Sequence, residues 1–192
     1  NKRYNKIEKL NSEFLIKVKE LIDFKINKVA GLIASHAHND HSGRIAEYLE
    51  AGIECYLSPD TARTRGPHHN IKTIHHKVTQ TIGEYKITPV ELRHDVENYG
   101  FIIWHPEMGY CPFITDTHYI PYTFPGMNNL LVEANYDEEI IQRRMDDERI
   151  VASVRNRVIN SHMEIKTTLD FLKANDLSAL NNIVLIHLSD GN

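Results

Sequence analysis

The run His36-Ala37-His38-Asn39-Asp40-His41 places three imidazoles and one carboxylate within six positions. Imidazole nitrogen and carboxylate oxygen are the donors that Zn²⁺ and related divalent ions take at about 2.0–2.2 Å. Alternate residues of an extended segment point the same way, so His36 and His38 can share one ion, while Asp40 and His41, past the bend, can turn toward a second. The competing reading is a solvated polar loop ahead of a helix, with Asp40 or Ser42 as its cap. Ligand types at ligand spacing, directly behind the apolar stretch 28–35, favour the metal site.

Four such side chains cannot close two metal sites, so further donors are expected at later strand ends. His94 follows the strand-like segment 88–93, Asp116 follows 110–115 and His187 follows 182–186. Each is thereby placed on a common rim, where a rigid scaffold holds reactive groups.

The elements that must position these residues follow from periodicity and breaker residues. A helix is predicted from Ser12 to Asp23, a strand over 28–35, and a helix over 42–51 closed by Gly52. A strand over 53–57 leads to a turn at Ser58-Pro59-Asp60 and a polar loop through Asn70. Residues 71–113 read as sheet, punctuated by Gly83, Gly100 and Gly109. A buried strand over 130–134, a helix from Asp137 to about Val154, a helix over 163–174 and a strand over 182–187 complete the chain. This alternation around a sheet-rich middle predicts a layered α/β sandwich in place of a purely parallel doubly wound fold.

A chain of 192 residues, 41% hydrophobic and 25% charged, predicts one globular domain, 1–192, and excludes a disordered or fibrous protein. No apolar stretch approaches the roughly 20 residues that span a bilayer, and the N-terminus leads into no signal-like apolar core. A soluble, cytoplasmic protein without a membrane partner is expected. Cys55 and Cys111 form no C-x-x-C pattern and read as buried thiols. The formal net charge of −4 gives no global basic field for nucleic acid, though it leaves room for a local groove. Among the 12 histidines, His68-His69 read as loop residues, and His75-His76 as strand neighbours pointing to opposite faces. Trp104, Tyr99, Tyr110, Tyr119 and Tyr122 read as sheet core, with stacking on bases the alternative.

The H-x-H-x-D-H run, followed in order by a histidine, an aspartate and a last histidine, resembles the signature of the metallo-β-lactamase superfamily. Asp40-His41-Ser42-Gly43, Arg93-His94-Asp95, Thr115-Asp116-Thr117, Leu131-Val132-Glu133-Ala134-Asn135-Tyr136-Asp137 and His187-Leu188-Ser189 look like its YycJ/WalJ-type branch, related to tRNase Z. The resemblance covers the chain from about Lys28 onward. It implies a four-layer αββα sandwich lacking its first N-terminal strands. It also implies two divalent ions, Zn²⁺ or Mn²⁺ with Fe²⁺ also admissible. His36, His38 and His94 would hold one, Asp40, His41 and His187 the other, and Asp116 would bridge them, with a hydroxide between them as nucleophile. Glu133 and His162 match a pair that protonates the leaving oxygen, so they and Asp40 are the expected catalytic residues. Tyr136, His118 and Met163-Glu164 depart from the branch's usual residues without removing a ligand.

The function so implied is a metal-dependent phosphodiesterase, a nuclease acting on DNA or RNA. Hydrolysis of a small cyclic nucleotide at the same site is the alternative enzyme reading. A binding or scaffold protein that keeps the fold without activity is the alternative from another class.

Overall fold

The computed structural model describes residues 26–147 and 150–189. The helix expected over residues 12–23 lies outside them. A single 3₁₀ turn at Ile26–Lys28 leads into the first sheet. That sheet has three parallel strands in the order β1 (Leu32–Ile33), β2 (Cys55–Leu57), β3 (Ile71–Thr73). The second has six strands in sequence order: β4 (Gln80–Ile82), β5 (Tyr85–Leu92), β6 (Asn98–His105), β7 (Gly109–Ile114), β8 (Asn129–Glu133) and β9 (Asn182–Ile186). Strands β4 to β7 run antiparallel, and β7, β8 and β9 pair in parallel.

Six helices accompany the sheets: α1 (Asn39–Ser42), α2 (Ile45–Glu50), α3 (Pro59–Arg65), α4 (Glu138–Asp146), α5 (Ala152–Ser161) and α6 (Ile165–Lys173) among the described residues. Three apolar clusters separate the layers. Ile45 and Leu49 of α2 pack with Cys55 and Leu57 of the small sheet. Between the sheets lie Ile82, Ile87, Tyr99 and Phe101, with Ile33 and Tyr56 reaching in from the other side. On the far face of the large sheet, Val90, Ile114, Leu130 and Val132 pack against Phe124, Met163 and Phe171 of the helical side. Two-residue alternation makes this possible, since Tyr99 and Phe101 face the inter-sheet core while Gly100 and Ile102 face the opposite side. The order helix, sheet, sheet, helix is the expected αββα sandwich.

Several boundaries differ from the sequence reading for identifiable reasons. The strand expected over 28–35 shortens to two residues, and the helix expected over 42–51 divides into α1 and α2, with α1 starting inside the histidine run. The turn and polar loop after Leu57 are instead α3, whose first turn is capped by the Ser58 hydroxyl accepting from the Thr61 amide, with Pro59 at the first helical position. The helix expected over 137–154 is two helices. Asp137 caps the first, and the second starts after the extended, β-branched Val151. Gly100 is not a break but the middle of β6, where an added Cβ would lie 2.8 Å from Ile114 Cδ1.

Both cysteines are buried free thiols. Of the aromatic residues read as core, Tyr99 is buried, but Tyr110 and Tyr119 are about half exposed at 48% and 51%. Trp104 is partly covered by Lys86, whose Nζ sits 5.0 Å from the ring centroid. His75 and His76 lie in a loop rather than a strand, and His76 Nδ1 accepts from the Glu91 amide. No helix among the described residues is long and apolar enough to cross a membrane.

Candidate metal centre

The donors converge because strands from both sheets end at one rim. β1 runs toward His36, β5 ends two residues before His94, β7 two before Asp116, and β9 immediately before His187. Two of these strand-end residues leave the strand in a left-handed conformation that non-glycine residues rarely adopt, Asp116 at φ 54° and His187 at φ 56°. Each is held there by an asparagine amide. Asn98 Nδ2 donates to the Asp116 carbonyl at 2.7 Å, and Asn135 Nδ2 donates to the His187 carbonyl at 2.7 Å. Backbone strain retained by dedicated tethers marks a position where the direction of the side chain matters.

Four overlapping groups of donors have their ligand atoms within 4.8 Å of one another: His36, His38 and His94; His36, His41 and Asp116; Asp40, His41 and His187; and Asp116, Glu133, His162 and His187. Asp116 belongs to two of these groups, with Oδ2 3.2 Å from His41 Nε2 and Oδ1 3.5 Å from His187 Nε2. This set fits divalent ions on its own chemistry. His36 is fully buried with its Nε2 3.0 Å from His38 Nδ1, so two ring nitrogens face each other, and His94 Nδ1 is buried without a hydrogen-bond partner. Such buried donors want an electrophile.

Protonation preferences divide the cluster. Burial, reinforced by the neighbouring His41, His94 and His38 imidazoles, drives the His36 pKa down to about 2. Burial also lowers His94, against the opposing pull of Asp95 and Asp116. His187 moves the other way, raised by its hydrogen bond to Glu133 in spite of burial. Burial pushes the Glu133 carboxyl up, but hydrogen bonds from His162 and His187 outweigh it and hold the group below the usual glutamate range.

Glu133 is fully buried, and one oxygen, Oε1, lies 2.7 Å from His162 Nδ1 and 2.8 Å from His187 Nδ1. Its other oxygen accepts from the Thr117 amide at 3.0 Å. His162 caps the C-terminal end of α5, and its extended backbone turns the ring toward the donors. A cavity of about 540 Å³ opens over the cluster, lined by His38, Asp40, His94, Asp95, Asp116, His162 and His187, with Arg157, Val158 and Ser161 of α5 and Asn135 and Ser189 completing the wall.

Three supporting side chains carry no expectation from sequence. Asp95 Oδ1 lies 3.0 Å from His94 Nε2 and 3.4 Å from His38 Nε2. Ser35 Oγ bridges His36 Nδ1 at 3.0 Å and His41 Nδ1 at 3.3 Å. Arg65, at the end of α3, donates to the Ala37 carbonyl, Asn39 Oδ1 and Ser42 Oγ, pinning the histidine run in place. The adjacency of Asp95 to His94 is visible in sequence, but the Arg65 contacts span more than twenty residues.

A two-sheet αββα sandwich with imidazoles and carboxylates gathered at its strand ends defines the class: the chain has the metallo-β-lactamase fold. Among solved structures it is similar to the metallo-β-lactamase fold protein YhfI from Bacillus subtilis, at 17% identity and a TM-score of 0.65, over 91% of this chain and 71% of that one. It is also similar to a diphosphatase of the PhnP family, at 15% identity and a TM-score of 0.58, over 85% of this chain and 61% of that one. The short form of human tRNase Z is similar at 15% identity and a TM-score of 0.56, over 86% of this chain and 74% of that one. No family model matches the chain, and no curated protein matches it in sequence.

Proposed function

We propose that the chain is a metal-dependent phosphodiester hydrolase with DNA or RNA as its substrate. The observation that carries this reading is the His162–Glu133 contact at 2.7 Å beside the donor cluster. A diester releases an alkoxide, which leaves readily only when it is protonated as the bond breaks. With Nδ1 engaged by Glu133, His162 keeps Nε2 for donation to that oxygen. The phosphoester chemistry named for two of the similar structures, a diphosphatase and a tRNase Z, supports the same class of reaction.

His36, His38 and His94 would hold one divalent ion, Asp40, His41 and His187 the other, with Asp116 between them. Such ions, Zn²⁺, Mn²⁺ or Fe²⁺, when bound supply water ionised near neutral pH and offset charge building on the phosphorus. The chain's own residues do the rest. Asp116 spans the two donor groups and fixes their separation, Glu133 sets the tautomer of His162, and the cavity wall orients the diester.

The test is Asp116→Ala, assayed on bis(p-nitrophenyl) phosphate and for bound metal. Hydrolysis is expected to fall to background and metal content to drop; metal-dependent turnover retained by the variant would refute the bridging role. A panel of single-stranded DNA, duplex DNA, RNA and cyclic nucleotides then fixes the substrate. Turnover of cyclic compounds alone would reassign the site to a cyclic-nucleotide phosphodiesterase. Well under one ion per chain in protein purified without added metal would point to a binding or scaffold protein.

A further inference from the structure

We propose that Arg157 binds a phosphate on the leaving-group side of the cavity, so that the site selects phosphodiesters whose leaving group carries a further phosphate, as a nucleic-acid strand does. This deepens the phosphodiesterase reading and rests on it. One face of α5 looks into the cavity, since Arg157, Val158, Ser161 and His162 all line it. Offsets of one, four and five residues fall on one side of a helix with 3.6 residues per turn.

Arg157 is exposed, and no hydrogen bond or ion pair holds its guanidinium among the described residues. Arginines elsewhere in the fold that are held include Arg65 on the histidine run, Arg155 on Glu138 and Arg44 on Glu47; Arg157 is distinguished by lying on the cavity wall. Among the described residues, Arg157 is also the one lysine or arginine lining the cavity, where the carboxylates are those of Asp40, Asp95 and Asp116. A cation left unpaired at the mouth of a cavity otherwise rich in carboxylates and imidazoles is placed to meet an incoming anion.

Position along the helix says which anion. His162, the donor to the leaving oxygen, lies five residues after Arg157, about 7.5 Å along the axis at 1.5 Å per residue. Cα–Cβ bonds of a helix tilt toward its N-terminus, which sets the base of the Arg157 side chain on the side of the cavity wall away from His162. Successive phosphates rise by about 3.4 Å along one strand of duplex DNA and are spaced more widely when the strand is extended. A group at this offset therefore meets the next phosphate beyond the leaving oxygen, and a planar guanidinium can take two of its oxygens at once. A cyclic nucleotide offers no second phosphate there.

The experiment uses the metal-loaded protein and paired substrates, a dinucleoside monophosphate and the same compound extended by one phosphate on its leaving nucleoside. The wild type is expected to prefer the extended compound in kcat/KM by about tenfold, the scale of one charge-assisted contact. Arg157→Ala should erase that preference, mainly through KM, and Arg157→Lys should keep part of it. Fluorescence polarisation of a labelled phosphorothioate oligonucleotide should show the same loss without turnover, with the slope of log affinity against log salt reduced by about one. A preference that survives in Arg157→Ala, or an equal loss on both substrates, overturns the assignment. Equal turnover of both substrates by the wild type overturns it while leaving the phosphodiesterase reading intact; if neither diester is hydrolysed, that reading fails and this one falls with it.

Discussion

The two halves of the donor cluster are made of different chemistry. His36, His38 and His94 form an imidazole-only group, in which burial and mutual repulsion hold His36 neutral down to about pH 2 and burial lowers His94. Around His187 the companions are carboxylates, Asp116 and Glu133, and the Glu133 hydrogen bond raises the histidine instead. Metal ligands must be deprotonated. Burial carries His36 and His94 toward that state in advance, whereas at His187 an ion would have to compete with a proton that Glu133 helps to hold. One side of the site is prepared by desolvation, the other by charge.

Glu133 offers the strongest way to break this comparison, because it touches only the carboxylate half. Glu133→Ala removes the common anchor of His162 and His187 and leaves His36, His38 and His94 untouched. Turnover is expected to fall by about 10²–10⁴, the usual range for a positioned acid, and affinity for one ion by about 10–100-fold, the usual cost of an outer hydrogen-bond partner. With the proposed pair of ions bound, metal content should move from two per chain toward one. Glu133→Gln, which preserves volume and can still accept from the Thr117 amide, should keep the fold while showing the same split. Equal loss of both ions would mean that the halves are not independent.

The sequence made one half of this arrangement more legible than its supports. The convergence of these donors at strand ends can be read because each stands behind an apolar run, as His94 behind 88–93 and His187 behind 182–186, and a sheet brings such ends to one rim. The layers were legible for the same reason, from alternation over residues 71–113. Helix α3 was not, because Pro59–Arg65 shows no apolar periodicity, although the Ser58-Pro59 start carries a cap signature. The double role of Glu133 was half visible. Its pairing with His162 followed from resemblance, but the bond to His187 depends on the parallel register that sets Glu133 beside Ile186, which local sequence does not contain.

Arg65 tests the comparison from outside, since it fixes the run that feeds both halves. Its guanidinium donates to the Ala37 carbonyl at 2.6 Å, within the first group, to Asn39 Oδ1 at 3.2 Å, between the groups, and to Ser42 Oγ at 2.6 Å, just past the second. Arg65→Ala should weaken both ions together, by about tenfold each in competition with a chelator, with far-ultraviolet circular dichroism unchanged. Arg65→Lys should recover little, because an ammonium cannot reproduce the fork that reaches a carbonyl and a hydroxyl at once. Selective loss of one ion would show that the loop is held in two separately supported pieces.

The smallest effect separates the halves by proton affinity in the metal-free protein. His36 is fully buried, and its pKa is far lower folded than the ordinary 6.5, so below pH 6.5 the unfolded chain binds a proton that the folded chain refuses. Its contribution to stability is therefore complete above pH 6.5 and drains away as the pH falls toward 2, at about 1.4 kcal/mol per pH unit. His94, also lowered, acts in the same direction. For His187 the sign reverses: its raised pKa stabilises the fold below 6.5, and that contribution is lost as the pH rises through the folded value. Denaturant melts at pH 6.5 and 5.5 should show His36→Asn losing about 1 kcal/mol less than the wild type over this interval, since the unfolded histidine is half protonated where the interval starts. His187→Asn should instead lose more than the wild type, because it lacks the group that gains on acidification. Identical pH responses in the two variants would mean that one electrostatic environment covers the whole cluster, and the division into a desolvated half and a charged half would have to be given up.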